Sequence, residues 1–211
     1  MAGEHEPPVP EFHDYLVFDG TAFIDTDITV PENCSFVMNM GDEASRRQMR
    51  VIRVNPGGAD GAIYSHISSF RTDVRSMSYA YDSSSSLKTH NTPTGSRIAW
   101  FMTPKRGGYG SQSLTYTKGD AHPLGGISLG GYTGDTSTSY YPYNGTIKYL
   151  RVYGSDAQNE TSASAISNNH TPIITLIPCL YGSRAGLWHV EGGKFYGNTA
   201  GAGTLSVADD E

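Results

Sequence analysis

The 211-residue chain has few cysteines and no long apolar run. Its two cysteines, Cys34 and Cys179, lie far apart and lack metal-binding spacing, so they form either two buried thiols or one long-range disulfide. No stretch reaches the roughly 20 apolar residues that a membrane helix needs. The N-terminus has no basic segment followed by an apolar one, which predicts no signal peptide. We therefore expect no membrane insertion.

Charged residues are also scarce, at 17% of the chain, and the acidic ones dominate. Lys and Arg number 15 against 21 Asp and Glu, for a formal net charge of -6. Phosphate binding requires clustered basic side chains, and the densest basic spots are only Arg46-Arg47 and Lys105-Arg106. This argues against nucleic acid as a partner. The surface rests instead on Ser, Thr, Asn and Tyr, which is typical of β-rich proteins.

Apolar residues alternate with other residues along much of the chain, as in Cys34, Phe36, Met38 and Met40. A period of two predicts β-strands. The predicted strands cover residues 21–28, 34–40, 48–54, 62–70, 74–81, 97–103, 113–118, 127–131 and 145–153. The strand at 97–103 is apolar on both faces, so we expect it to be central, with Trp100 in the core. Residues 155–169 are expected to form one short helical turn.

Short strands separated by Gly-rich turns predict an all-β fold, an antiparallel sandwich of two sheets. A single jelly-roll domain is expected over residues 14–207, since sandwiches of this length form one core. Residues 1–13 form an extended arm with Pro7, Pro8 and Pro10, which is either a floppy tail or a segment that orders on a partner subunit. Residues 208–211 form an acidic tail.

Two ends of the chain carry a resemblance to a known family. Residues 15–28, YLVFDGTAFIDTDI, resemble the opening of concanavalin A-like, laminin-G-like jelly-roll domains, and IPC, GLW and GKFYGN within residues 177–198 resemble their ending. Residues 127–131 and 145–153 resemble strands of the same fold. Asp27 replaces the usual Gly, and Trp188-His189 replace Tyr-Asp. The resemblance implies a sandwich used for glycan or protein binding, of the type found in bacteriophage virions and bacterial surface proteins.

Calcium is the one cofactor that the resemblance brings in, because laminin-G-like domains bind it through loop Asp and backbone oxygens. Asp60, Asp120 and Asp135 lie in Gly-rich loops and are the candidate ligands. Loop Asp residues more often serve turns. Otherwise no cofactor and no metal site are expected.

Catalytic patterns are weak. Residues 126–130 match the G-x-S-x-G nucleophile motif, but the Ser/Thr/Gly-rich segment that follows does not start the helix which that motif requires. A glycosidase needs two carboxylates facing one sugar, and the nearest pair is Asp25 and Asp27 on one predicted strand face. We therefore expect a protein that is not an enzyme.

Aromatic residues are the remaining candidates for binding. Tyr132, Tyr140, Tyr141 and Tyr143 cluster in a segment rich in Gly, Ser and Thr, and Trp188 lies in the closing motif. Aromatic rings stack on sugars, anchor protein interfaces, or simply pack. All three alternatives stay open for the tyrosines, and Trp188 is either core or rim.

The favoured hypothesis is a virion display protein of a bacteriophage: a capsid decoration, head fibre or tail component. It predicts other virion proteins as partners, a homo-oligomer on the particle and contact with host glycans. The alternative is a carbohydrate-binding module of a bacterial surface protein, placed at the cell surface or outside the cell. A glycoside hydrolase is the weakest of the three hypotheses.

Overall fold

The structure, a computed structural model, describes most of the chain. The described residues are 7–31, 33–42, 48–54, 63–69, 74–80, 88–93, 97–110, 112–115, 126–131 and 141–210. Within them the chain forms 18 strands, a 3₁₀ helix at Ser155–Asn159 and one α-helix, α1, at Ala163–Asn169. No helix in this part of the chain has the length and apolarity needed to cross a membrane.

The strands are short and follow one another closely. In chain order they are β1 (Pro10–Phe12), β2 (Tyr15–Asp19), β3 (Ile24–Asp25), β4 (Ser35–Asp42), β5 (Gln48–Val54), β6 (Ile63–Ser69), β7 (Val74–Ala80), β8 (Lys88–Pro93), β9 (Ile98–Met102), β10 (Arg106–Tyr109), β11 (Gln112–Thr115), β12 (Ile127–Leu129), β13 (Tyr141–Pro142), β14 (Asn144–Tyr153), β15 (Ile174–Tyr181), β16 (Arg184–His189), β17 (Lys194–Gly197) and β18 (Leu205–Ala208).

The first sheet is organised around β14. It runs β11-β10-β9-β4-β14-β15-β16-β17, and every pairing in it is antiparallel. On the side away from β4, β14 pairs first with β2 and then with β15. Strand β18 pairs with β2, and β1 pairs with β15. Both ends of the described chain are therefore built into this sheet.

The second sheet runs β3-β12-β5-β6-β7-β8. Its strands pair antiparallel, except that β13 runs parallel to β5. The prediction of an all-β sandwich of two antiparallel sheets is confirmed.

The main core combines the inner faces of both sheets. Phe36, Met38 and Met40 enter it from β4, and Ile24 and Leu129 enter it from the second sheet. A second apolar cluster lies on the outer face of the first sheet, under the two helices. Its buried members are Val37, Phe101, Tyr153, Ala157, Ala163 and Ile166.

Strand β9 has apolar contacts on both faces, as predicted. Trp100 and Met102 belong to the main core and Phe101 to the outer cluster, and all three are fully buried. The short helix is also found. Its N-terminus is capped by Ser162, whose hydroxyl accepts a hydrogen bond from Ala165 N at 3.0 Å.

The prediction of one strand over residues 21–28 is wrong. Only Ile24–Asp25 are paired as a strand, although Ala22, Ile24 and Ile28 are buried as the alternation requires. Side chains take the place of ladder partners here, since the Asp19 carboxylate accepts hydrogen bonds from the backbone N of Ala22 and Thr21. The alternation of apolar residues therefore predicted which side chains are buried, but not which residues pair as a strand.

The N-terminal arm also differs from expectation. Pro10–Phe12 pair with Cys179–Tyr181 of β15, so the last part of the predicted arm orders on its own domain. Pro10 is half-buried, whereas Pro7 and Pro8 are exposed. Docking of this segment on a partner stays a prediction.

Candidate functional site

Three large aromatic side chains lie together on the outer face of the first sheet. Tyr181 of β15, Trp188 of β16 and Phe195 of β17 form this aromatic face. The Tyr181 ring centroid lies 5.4 Å from that of Phe195 and 5.8 Å from that of Trp188. All three side chains are half-buried. Their partly exposed rings are available to a ligand on the surface.

The strand register explains why these rings point outward. Leu187 and Tyr196 are cross-strand partners and enter the core, so their neighbours Trp188 and Phe195, which also pair, occupy the opposite face. The Phe195 ring covers Gly186 of the adjacent strand, where an added Cβ would lie 2.7 Å from two ring atoms. The absence of a side chain at this position thus lets the ring lie across β16.

A cation borders the aromatic face. The Arg184 guanidinium carbon lies 5.3 Å from the Phe195 ring centroid, within range of a cation–π contact. Arg184 is exposed, so the guanidinium donors remain accessible to solvent. The face therefore offers flat apolar rings beside a charged hydrogen-bond donor.

A pocket opens on the opposite side of the β16–β17 hairpin. Its volume is about 410 Å³. We call it the edge pocket, and it is lined by Asp27, Ile28, Thr29, Ile173, Ile174, His189, Glu191, Gly192, Lys194 and Tyr196.

Asp27 is the centre of a hydrogen-bond network in the edge pocket. One carboxylate oxygen accepts from Lys194 Nζ and the other from the Tyr196 hydroxyl. The bond from Lys194, followed by that from Tyr196, lowers the pKa of Asp27. Burial, together with the neighbouring Asp27 carboxylate, raises the pKa of Tyr196. Asp27 is therefore a carboxylate and Tyr196 a neutral phenol at neutral pH.

Of the predicted tyrosine cluster, the structure describes the side chain of Tyr143 alone. Tyr143 is fully buried; its hydroxyl donates to Gly41 O, and its ring packs against Phe18 at 5.6 Å. This corrects its assignment as a ligand-binding residue, because a core side chain cannot reach a surface ligand. Tyr141 lies in β13, and Tyr132 and Tyr140 lie outside the described residues. Trp188 lies at the rim, one of its two predicted positions.

The catalytic patterns do not gain support from the geometry. Ser128 of the G-x-S-x-G match is buried within strand β12, where it pairs with Asp25, and so is not on a strand-to-helix turn. Asp25 and Asp27 lie in different surroundings, because Asp27 is held by Lys194 and Tyr196 while Asp25 N donates to Thr199 Oγ1 at 2.9 Å. Cys34 and Cys179 are buried and form no disulfide, and burial raises the pKa of Cys179 to about 11.

The predicted calcium ligands, Asp60, Asp120 and Asp135, lie outside the described residues. Across the part of the chain that the structure describes, no three His, Cys, Asp or Glu side chains lie close enough to hold a metal ion. Calcium binding by the three loop residues stays a prediction.

Sequence reasoning missed Tyr181, Arg184 and Phe195 as partners of Trp188. The alternation of residues along the two hairpin strands could have indicated this grouping. Gly186 and Trp188 lie on the outer face of β16, and their partners Gly197 and Phe195 lie on the outer face of β17. It also missed the contacts between Asp27 and the hairpin, which join positions 167 or more residues apart.

Comparison with known proteins identifies the fold. No family model and no curated protein sequence matches the chain. A candidate carbohydrate binding protein from Bacteroides ovatus has a similar structure, with a TM-score of 0.57 at 10% identity; the match covers 94% of this chain and 61% of that one. The native heptameric SAP-like pentraxin from Limulus polyphemus has a TM-score of 0.53 at 13% identity, over 65% of this chain and 74% of the pentraxin.

Mouse laminin α1 domains LG4-5 give a TM-score of 0.48 at 12% identity, over 67% of this chain and 41% of that one. At these identities the matches show the fold alone. The two with the higher TM-scores, together with the two antiparallel sheets, show that the chain has the concanavalin A-like jelly-roll fold.

Proposed function

We propose that this domain is a non-catalytic carbohydrate-binding module that holds glycan chains against its aromatic face. The observation that carries the proposal is the grouping of Tyr181, Trp188 and Phe195 as half-buried rings in contact on the outer sheet surface. Large aromatic side chains such as Phe36 and Trp100 are fully buried, whereas others, such as Phe12 and Phe23, are also partly exposed. The aromatic face brings three partly exposed rings into contact in one place.

The chemistry of the face suits a sugar. One side of a pyranose ring is a flat set of C–H bonds, which packs on an aromatic ring, and its hydroxyls need hydrogen-bond donors and acceptors nearby. Exposed Arg184 beside Phe195 supplies donors at the border of the rings. Rigid aromatic side chains also lose little conformational entropy on binding.

The similar Bacteroides ovatus structure supports this choice over a virion protein, because it is described as that of a candidate carbohydrate binding protein. Placement on a bacteriophage particle, with other virion proteins as partners, stays a prediction, as do the alternative placement at a bacterial surface and the homo-oligomer. Copurification with intact particles would support the virion; recovery free of particles would count against it.

A glycan array followed by calorimetry on the best hit tests the proposal. We expect binding by the wild-type chain and an affinity loss of at least about tenfold in Trp188→Ala, because the ring that stacks on the sugar is removed. Tyr149→Ala is the matched control: Tyr149 also lies on the outer face of this sheet, under Arg151 at 4.4 Å, but outside the aromatic face. It should bind like the wild type.

Two results would overturn the proposal. One is the absence of binding to the array and to a set of soluble polysaccharides. The other is a folded Trp188→Ala variant with wild-type affinity, which would move any glycan site away from the aromatic face.

A further inference from the structure

The edge pocket is an open depression in the surface, separate from the aromatic face. His189 and Tyr196 lie on the inner side of the β16–β17 hairpin, whereas Trp188 and Phe195 lie on the outer side. The pocket volume of about 410 Å³ falls in the range of small-molecule sites. A ligand held there need not touch the aromatic face.

Both walls of the pocket are fixed by hydrogen bonds. The hairpin turn is joined to the start of β15, because Glu191 accepts from Thr175 N at 2.6 Å and from Thr175 Oγ1 at 2.7 Å. The opposite wall is joined to β17 through Asp27, which accepts from Lys194 and Tyr196. Fixed walls reduce the ordering cost of binding, so the pocket is organised before a ligand arrives.

The polar groups of the pocket keep unused hydrogen-bonding capacity. Asp27 is 68% exposed and Lys194 is 52% exposed, although they bond to each other. An ammonium has three donors, and in the described residues the bond to Asp27 uses one of those of Lys194. An acceptor and a donor thus stand side by side at the pocket mouth, as neighbouring hydroxyls of a sugar require.

Apolar side chains complete the pocket. Ile28 and Ile174 are buried beneath it, and Ile173 is 43% exposed at its border. The charges disfavour an anionic ligand, because the carboxylates of Asp27 and Glu191 outnumber the ammonium of Lys194. An acidic ligand would meet excess negative charge.

We propose that the edge pocket is a second binding site, which takes one neutral hexopyranose unit. Adjacent hydroxyls of the sugar bond to Asp27 and Lys194, and its C–H surface contacts Ile173. The proposal goes beyond the aromatic face and does not require it. One consequence rests also on the proposed function: with two sites on opposite sides of one hairpin, a single domain would bridge two glycan chains.

The test uses methyl glycosides of glucose, galactose, mannose and N-acetylglucosamine, with methyl glucuronide as the charged comparison. Binding to the full chain is measured by NMR titration on the resonances of the pocket residues, where a single sugar unit is expected to bind with a Kd on the order of 1–10 mM. At least one neutral glycoside should bind, and the glucuronide should bind more weakly. Trp188→Ala should leave this binding unchanged, which separates the pocket from the aromatic face.

Two variants alter the pocket by different means. Lys194→Met removes the donor and should weaken binding at least about tenfold. Ile173→Trp fills the pocket from an exposed position while Asp27, Lys194 and Tyr196 are kept, and should abolish binding in the pocket while the melting temperature stays close to that of the wild type. It keeps the test decisive if Lys194→Met disturbs the hairpin.

Three outcomes would overturn the proposal: no neutral glycoside binds, the glucuronide is preferred, or folded Ile173→Trp binds like the wild type. Loss of binding in Trp188→Ala together with normal binding in Ile173→Trp would assign the sugar to the aromatic face alone. In that case the proposed function would stand and the second site would fall.

Discussion

Tyr143 is held in the core by hydrogen bonds and by ring packing. Its hydroxyl donates to Gly41 O and lies 3.2 Å from Thr146 O, and its backbone N donates to Gly130 O at 2.8 Å. The residue thus joins β4 and β14 of the first sheet to the end of β12 in the second. Its polar tip satisfies a buried carbonyl, and its ring fills space beside Phe18.

Tyr143→Phe should therefore lower stability without affecting binding. Removing the hydroxyl leaves the Gly41 carbonyl without this buried donor, which costs about 1–3 kcal/mol. Urea unfolding measures the loss, and calorimetry with the glycan hit should show wild-type affinity. Trp188→Ala should instead lower the affinity, and it should also lower stability, because its half-buried ring packs against Tyr181. Weakened binding in a folded Tyr143→Phe variant would contradict the assignment of this residue to the core.

Residue type alone did not predict that Tyr143 is buried in the core while Trp188 is partly exposed. Tyr143 lies in a Gly/Ser/Thr-rich segment typical of a surface loop, and Trp188 lies in a strand motif typical of a core. Their burial depends on pairing with distant strands, which local composition does not report. The contact of the Phe195 ring with Gly186 likewise can be predicted only when the register of β16 and β17 is known.

At the scale of elements, His170 joins the two helices. Its Nδ1 lies 2.9 Å from Asp156 Oδ2 in the 3₁₀ helix, and its Nε2 lies 3.0 Å from Glu160 Oε1. Both ring nitrogens donate only when the imidazole is protonated. The bond to Asp156, with that to Glu160, raises the pKa of His170 above its ordinary 6.5. The bond to His170 lowers the pKa of Asp156, and the hydrogen bond from the Asn169 amide, followed by that from His170, lowers the pKa of Glu160.

The signs of these pKa shifts fix the pH range in which the contact stabilises the fold. A raised histidine pKa gives stability that is complete below 6.5 and lost as the pH rises through the folded value. The lowered carboxyl pKa values give stability that is complete above 3.8 for Asp156 and 4.5 for Glu160 and lost at lower pH. The contribution is therefore largest between 4.5 and 6.5.

The expected result is a difference in pH dependence between the wild type and His170→Gln, which cannot become charged. From about pH 6 to pH 8.5 the melting temperature of the wild type should fall by about 1–4 °C more than that of the variant, because Asp156 is exposed and the interaction is partly screened. Thermal unfolding by circular dichroism measures it. Parallel curves for the two proteins would mean that His170 does not link the helices in this way.

Element prediction succeeded where the chain alternates and failed where tertiary pairing decides. Residues 48–54 were predicted as a strand and form β5 over the same span. Pro10–Phe12 carry no alternation, and they become a strand only because β15 offers an unpaired stretch beyond β14. Residues 21–28 alternate but pair only briefly, because Asp19 and Thr26 side chains occupy backbone groups.

At the scale of the whole molecule, the all-β sandwich follows from alternation, turn spacing and the motifs at the two ends of the chain. The candidate site does not follow from them. The aromatic face requires three strands in register, and the edge pocket requires contact between residues near position 27 and the C-terminal hairpin. Such sites depend on strand order in space, which a single sequence does not state.

The predicted acidic tail at residues 208–211 is tied to the body of the domain in its described part. Strand β18 pairs with β2, and beyond it Asp209 accepts from Asp14 N at 2.9 Å. Asp210 accepts from the Tyr15 hydroxyl at 2.6 Å and from Arg97 Nη1 at 2.9 Å. The described end of the tail is thus bonded to residues at the start of β2.

Asp210→Asn tests whether charge holds this end in place. The amide keeps the shape but loses the attraction to Arg97 and to Lys148 Nζ, which lies 3.5 Å away. Because these groups are solvent-exposed, the melting temperature should fall by no more than about 4 °C at low salt. The difference from the wild type should shrink in 1 M NaCl, where the screening length is about 3 Å. Ser206→Ala, a change in β18 that removes no charge, serves as the control and should show no such salt dependence. A loss of melting temperature in Asp210→Asn that does not depend on salt would instead assign the role of Asp210 to its hydrogen bond with Tyr15.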